Sequence, residues 1–154
     1  MANSTRHLIM NAVASALQAI DGTGNYVATV TTITEDTPEH PSKYQTGKFP
    51  ICFPIDTDEE REIWAIGQST NSTKATLTVV ITSMVYSASD ATRQQRNDLI
   101  RDVERAMYAG TTLASLVLDI TPTKVVTDGG TIKNYSVWDQ EFEIEYTYTS
   151  TTGG

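Results

Sequence analysis

The stretch Val137-Trp-Asp-Gln-Glu-Phe-Glu-Ile-Glu-Tyr-Thr-Tyr-Thr149 alternates between two kinds of side chain. Successive side chains of a strand face opposite sides, so Trp138, Phe142, Ile144, Tyr146 and Tyr148, with Gln140 among them, share one face. Asp139, Glu141, Glu143 and Glu145 share the other, with same-side neighbours about 7 Å apart. The aromatic side has enough apolar area to face a core. The acidic side resists burial, because carboxylates without paired cations are costly to desolvate. A column of like charges repels itself and adds nothing directly to folding. It reads either as the solvated face of a sheet in an acidic protein or as a surface that must repel a polyanion.

Working back from this strand, Thr127-Asp-Gly-Gly130 is a turn with two glycines for positive φ, and residues 116–126 read as the strand before it. The two strands, 116–126 and 135–149, are expected to pair as a long antiparallel hairpin. Lys74 to Tyr86 is the strongest strand signal, apolar on both faces and therefore central, with Leu77, Val79, Ile81 and Val85 on one side. Tyr26 to Ile33 alternates as a strand. Lys48 to Ile55 reads as a short strand whose Pro50 and Pro54 place it at an edge or a bulge. Asp56 to Glu60 is acidic, residues 62–66 fit either a strand or one helical turn, and residues 68–73 read as a turn. Residues 34–47, with Pro38 and Pro41, read as a protruding loop or arm, and the small polar residues 150–154 as a flexible tail.

Two segments carry helical periodicity. In residues 5–20, Leu8, Ile9, Ala12, Val13, Ala16, Leu17 and Ile20 form one stripe, with Ser4 or Thr5 as the cap. In residues 90–109 the stripe is Leu99, Ile100, Val103, Ala106 and Met107, with a capping-box pattern at Ser87 to Asp90 and Gly110 as the stop. Its expected outer face carries Arg93, Arg96, Arg101 and Arg105, with Asp98–Arg101 and Asp102–Arg105 as i,i+3 pairs. The fold class is therefore α+β: a mostly antiparallel sheet of about four to six strands packed by two helices, in a single domain spanning 1–154.

Composition narrows the function classes. The net charge is −8, and the arginine-rich helix is the one basic concentration, which argues against direct nucleic-acid binding. The single cysteine, Cys52, lies in an apolar run and is expected to pack rather than react. No signal-peptide core or membrane-length apolar run is present, so the expectation is a protein made and kept in a reducing cytoplasm, with no membrane partner. His7 and His40 have no partner ligands at metal spacing. Asp56-x-Asp58-Glu-Glu60 lacks the glycine and distal glutamate of an EF-hand loop. No nucleophile elbow, dinucleotide loop or acid–base pair stands out, so no catalytic residue, cofactor or metal is assigned.

The order of elements, together with Asp102-Val-Glu-Arg-Ala-Met107, Leu113, Thr127-Asp-Gly-Gly130, the closing Phe142-x-Ile-x-Tyr146 and the early Lys48-Phe-Pro-Ile-Cys-Phe-Pro54, resembles the tail terminator (tail completion) proteins of long-tailed bacteriophages. The resemblance implies a structural virion protein, not an enzyme. It would form a homo-oligomeric ring, usually a hexamer, that ends the tail tube and joins it to the head. Its partners would be further copies of itself, the tail tube protein and neck or connector proteins, with DNA passing through unbound. On that reading Asp139, Glu141, Glu143 and Glu145 face the lumen, and Arg93, Arg96, Arg101, Arg105, Lys43 and Tyr44 are subunit-contact candidates. Another phage neck or tail-tube subunit is an alternative within the same class. A small monomeric ligand-binding or hydrolase domain using loops 34–47 and 56–73 is the alternative from a different class.

Overall fold

The computed structural model describes residues 4–66 and 71–149. The chain runs α1 (Thr5–Gln18), β1 (Thr32–Ile33), β2 (Ile51–Ile66), β3 (Asn71–Tyr86), α2 (Thr92–Ala109), α3 (Thr111–Leu116), β4 (Asp119–Thr127) and β5 (Tyr135–Thr149). The strands make one five-stranded sheet in the order β1-β2-β3-β5-β4, antiparallel except for the short β1–β2 pairing. This is the α+β fold expected from the sequence, with a third helix added. The flexible tail expected at 150–154 and residues 68–70 of the turn expected at 68–73 lie outside the described residues, while residues 71–73 are not a turn but the start of β3.

β5 is bonded on both sides, to β3 and to β4, and its side chains alternate as the sequence pattern requires. Trp138, Phe142, Ile144 and Tyr146 are buried against Leu77, Val79 and Ile81 of β3 and against Ile9, Val13 and Leu17 of α1 and Leu99, Val103 and Met107 of α2. Gln140 is polar and buried in this layer, and its hydrogen bonds explain why that is tolerated. Its Oε1 accepts from Trp138 Nε1 at 3.1 Å and its Nε2 donates to the Ile100 carbonyl at 3.1 Å. Cys52 is fully buried beneath α1 and beside Ser83, and burial pushes its thiol up to about 11, so it stays protonated at neutral pH.

α1 begins where Ser4 Oγ accepts the His7 amide at 3.2 Å, and the chain leaves it through a turn with Gly22 at φ +78°. α2 begins differently from the expected capping box. Its N-cap is Ala91, with no side-chain cap, while Ser87 Oγ accepts the Ala91 amide at 3.2 Å and Asp90 Oδ1 accepts the Asn134 amide at 2.9 Å. Asp90 itself sits at φ +60°, so it shapes the turn instead of capping the helix. Gly110 has φ −67° and joins α2 directly to α3, so it is not a left-handed stop. A Cβ there would meet Ala16 Cβ of α1 at 3.4 Å, so the small residue serves a close helix approach.

Four other expectations change. Residues 26–31 are not a strand, and only Thr32–Ile33 pair with β2. The competing partner is Asp102, which is fully buried: its Oδ2 accepts the amides of Val27 at 2.8 Å and Ala28 at 2.7 Å. Asp102 therefore does not pair with Arg105 on an outer face, and Ile100, expected in the buried stripe, is only partly buried. The strand from 48–55 does not stop at the acidic segment: β2 continues through Asp56–Glu60 to Ile66, with a bulge between Asp56 and Glu59. Pro54 sits just past the end of β1, where the β2 edge has no further partner to bond. Residues 111–116, partly assigned above to the next strand, form α3, which buries Leu113.

The expected arm at 34–47 folds back onto the protein. Two short 3₁₀ turns, Pro41–Lys43 and Thr46–Lys48, carry Tyr44 against Phe49 and Phe53, with ring centroids 6.3 and 5.9 Å apart. Phe49 continues to Tyr135 at 5.5 Å, and Tyr135 to Tyr86 at 5.2 Å. With Ile51, Met84 and Val137 these rings form a second apolar cluster, on the sheet face away from the helices.

Two substitutions test this layout. Val103→Asp buries an unpaired charge in the helix–sheet core and is expected to cost several kcal/mol, read as a large drop in the urea midpoint. Asp102→Ala removes the acceptor of two part-buried amides and is expected to cost about 1–3 kcal/mol, with faster hydrogen exchange at Val27 and Ala28. An exchange rate at those amides equal to the parent's would show that the carboxylate does not hold them.

Candidate functional site

The helices all pack on one face of the sheet, so the two ends of the other face are left to contrasting chemistry. One end holds the aromatic cluster under the folded-back segment. The other is the carboxylate column of β5, over which no helix packs among the described residues. Register places Asp139 between Thr82 of β3 and Val126 of β4, Glu141 between Val80 and Lys124, Glu143 between Thr78 and Thr121, and Glu145 between Thr76 and Asp119. Glu60 and Glu62 of β2 have the same parity, opposite Thr76 and Lys74. The acidic field therefore spans four strands, a width that reading one strand at a time does not reveal.

Little within the subunit neutralises this field. Thr82 Oγ1 donates to Asp139 Oδ1 at 2.7 Å, and Thr123 Oγ1, at the β4 bulge, donates to Glu141 Oε1 at 3.0 Å. Lys74 Nζ lies 3.6 Å from Glu145 Oε2 and 3.8 Å from Glu62 Oε1, loose contacts at a partly exposed site that contribute little. Glu143 has no hydrogen bond or ion pair among the described residues. Hydroxyls orient these carboxylates but leave their charge in place.

The arginines of α2 do not form one continuous surface. Arg101 Nη2 reaches Asp102 Oδ1 at 3.4 Å, and Arg105 Nη1 donates to the Asn25 carbonyl, so one is engaged by Asp102 and the other by the segment that Asp102 holds. Arg93 and Arg96 stand apart, at the first turns of α2, with Arg93 exposed. Lys43 is exposed, whereas Tyr44 is half-buried in its own aromatic cluster and is spent within the subunit. The arginines and the carboxylate column lie on opposite sides of the sheet.

Sequence reading missed two polar arrangements. Asp102 falls at i+3 from Leu99 and beside Val103, in the middle of the apolar stripe, and that position is the signal of its burial. On the helix side, beyond the β2 bulge, the Glu59 side chain is 4% exposed and accepts from both Tyr146 Oη and Arg61 Nε. Arg61 lies over the Tyr148 ring, 5.2 Å from its centroid. Burial, and next the Glu59 carboxylate, push the Tyr146 phenol above its ordinary range, so it remains a donor. The bulge gives the signal here: it moves Glu59 and Arg61 to the face of Tyr146, which simple alternation from Ile51 would not do.

A cleft of about 700 Å³ lies between α1 and the β1–β2 edge and includes His7, Asn11, Glu35 and Asp56. Arg6 holds Asp56 Oδ2 at 2.7 Å and the Thr57 carbonyl at 3.0 Å across it. No histidine side chain there bonds a carboxylate or a nucleophile among the described residues, and no cluster of metal-type ligands occurs among them. Residues 56–66, named as part of a binding loop in the hydrolase alternative, belong to β2 instead. No helix among the described residues is long and apolar enough to cross a membrane. No known protein-family model matches the chain, and no curated protein matches its sequence.

Self-repulsion in the carboxylate column predicts a salt-dependent effect. Glu141→Gln with Glu143→Gln is expected to melt at or slightly above the parent in low salt, by a few tenths of a kcal/mol, with the difference vanishing at high salt. A marked loss of thermal stability in differential scanning calorimetry would mean that these carboxylates hold structural cations.

Proposed function

We propose that the chain is a structural ring subunit, of the tail-terminator type that its sequence resembles, and that the β5 carboxylate column lines a channel for DNA. The observation that carries this reading is the acidic field spanning β2 to β4 on a sheet face that no helix of the described residues covers. A wall of fixed, unneutralised carboxylates repels phosphates and lets a polyanion pass without adhering. Lys74 and Lys124 lie within the field, and two other basic groups support the same reading by their position. Arg93 and Lys43 lie outside the acidic field, where they are free to meet acidic surface on a neighbouring subunit, tube protein or neck protein. The proposed location is the virion, at the junction of tail and head. The other neck or tail-tube roles share this logic and differ in the partner.

The about 700 Å³ cleft beside α1 supports a second reading, a monomeric small-ligand binder. Its polar lining suits a ligand, although it lacks an assembled catalytic pair among the described residues.

Light scattering after size exclusion and negative-stain imaging, each with the protein alone and mixed with tail tubes, separate these readings. Rings are expected, alone or on the tube ends. A 16.9 kDa monomer under all conditions, with a small-molecule-dependent melting shift, would replace the ring reading with the binding one. In rings built from the Glu141→Gln, Glu143→Gln, Glu145→Gln variant, assembly is expected to be retained and DNA passage, read as particle infectivity, to fall. Carboxylates found on the outer wall of such a ring would overturn the channel assignment.

A further inference from the structure

The start of α2 breaks three local rules at once. Its N-cap, Ala91, provides no side-chain acceptor, and its first turn contains no acidic residue. Two guanidinium groups, Arg93 and Arg96, stand where the helix dipole is already positive. Each feature costs stability, and together they leave uncapped amides beside unneutralised cations. Arg93 makes no hydrogen bond or ion pair among the described residues, and Arg96 makes only a 3.4 Å contact with Asn97 Oδ1.

A cleft of about 340 Å³ opens beside this helix end, between Arg93 and Arg96 on one side and the Gly129–Gly130 turn on the other. Ser136 of β5 also lines it. Ser136 is 2% exposed, and its Oγ has no hydrogen-bond partner among the described residues. A buried hydroxyl without a partner is uncommon, and it marks a place where another polar group belongs. The carboxylates nearest in sequence are engaged elsewhere: Asp90 Oδ1 accepts the Asn134 amide, and Asp128 accepts the amides of Gly130 at 3.0 Å and Val137 at 3.3 Å. The glycine turn has φ +68° and +77°, and no atom would meet a Cβ at either glycine within 4 Å, so its backbone borders open space.

We propose that this cleft is an oxyanion subsite, in which a phosphate or carboxylate group is held by the first amides of α2, the Arg93 and Arg96 guanidiniums and the Ser136 hydroxyl. Helix amides and guanidiniums both donate to an oxyanion, and such charge-assisted bonds are the strong ones. The hydroxyl adds a neutral donor at the floor, reached by rotation about χ1. The inference is independent of the ring reading, since a free ion and an acidic group on a macromolecule present the same chemistry.

The test is titration of the ¹⁵N-labelled protein with inorganic phosphate, and separately with acetate, at constant ionic strength set with chloride. Saturable amide shifts are expected at Thr92, Arg93, Gln94, Gly129, Gly130 and Ser136. Arg93→Gln with Arg96→Gln is expected to weaken binding about tenfold or more, and Ser136→Ala by several fold with the fold intact. Tighter phosphate binding identifies a phosphate ligand; equal or tighter acetate binding identifies a carboxylate. Shifts that do not saturate, or that spread equally to Lys43, Lys48 and Lys133, overturn the site. Parental affinity in Ser136→Ala overturns it too, because arginines alone are ordinary surface charge. The arginine positions are at least partly exposed, so that double variant decides the matter if Ser136→Ala does not fold.

Discussion

Four carboxylates cannot enter an apolar layer, and that constraint on β5 fixes the sheet. A slip of one residue against β3 would carry Asp139, Glu141, Glu143 and Glu145 into the space of Trp138, Phe142, Ile144 and Tyr146. Each buried, unpaired carboxylate would cost several kcal/mol, comparable in sum with the whole stability of a domain this size. Because β5 is bonded on both sides, its register also sets that of β3 and β4, and through β3 that of β2. The acidic column thus specifies the fold through what it forbids, while contributing little attraction of its own.

Asp102 plays the complementary part on the helix side. A carboxylate in the core is tolerable when hydrogen bonds replace its hydration, and here two backbone amides and a guanidinium do so. The bonds cross about 75 residues of chain, as the separations of 75 and 74 show. They fasten the segment after α1 to the middle of α2, and Arg105 adds a bond to Asn25 next to it. This clasp takes the amides that an extension of β1 toward α1 would have used, and β1 ends after Ile33, so β2 beyond Cys52 is left largely as an edge. The acidic residues Asp56 to Glu60 then lie on that edge, where charge discourages further strand pairing.

What the sequence revealed and what it concealed divide along a physical line. β3, β5, the hairpin turn and both long helices were legible because a continuous periodic pattern fixes each one. The β2 extension, the Glu59–Arg61–Tyr146 group and the short β1 were not, because each depends on a bulge or on a partner far along the chain. Tyr44 shows the same limit: an aromatic residue in a proline-rich loop looks like a contact for another molecule, and only the position of Phe49 and Phe53 shows that it packs at home. The carboxylate column was legible as a column. Its extension by Glu60, Glu62 and Asp119 required the pairing of four strands.

The two charge sets are kept apart by the architecture. The sheet stands between the arginines of α2 and the β5 carboxylates, and no ion pair joins the two sets among the described residues. Had the fold needed only solubility, interspersed charges would have served, with less self-repulsion. On the readings proposed above, carboxylates on the open sheet face and Arg93 and Arg96 at the start of α2 would let one face repel a polyanion while the other attracts an anionic group. Those are opposite tasks, and a single small domain can perform both only if its sheet stands between them.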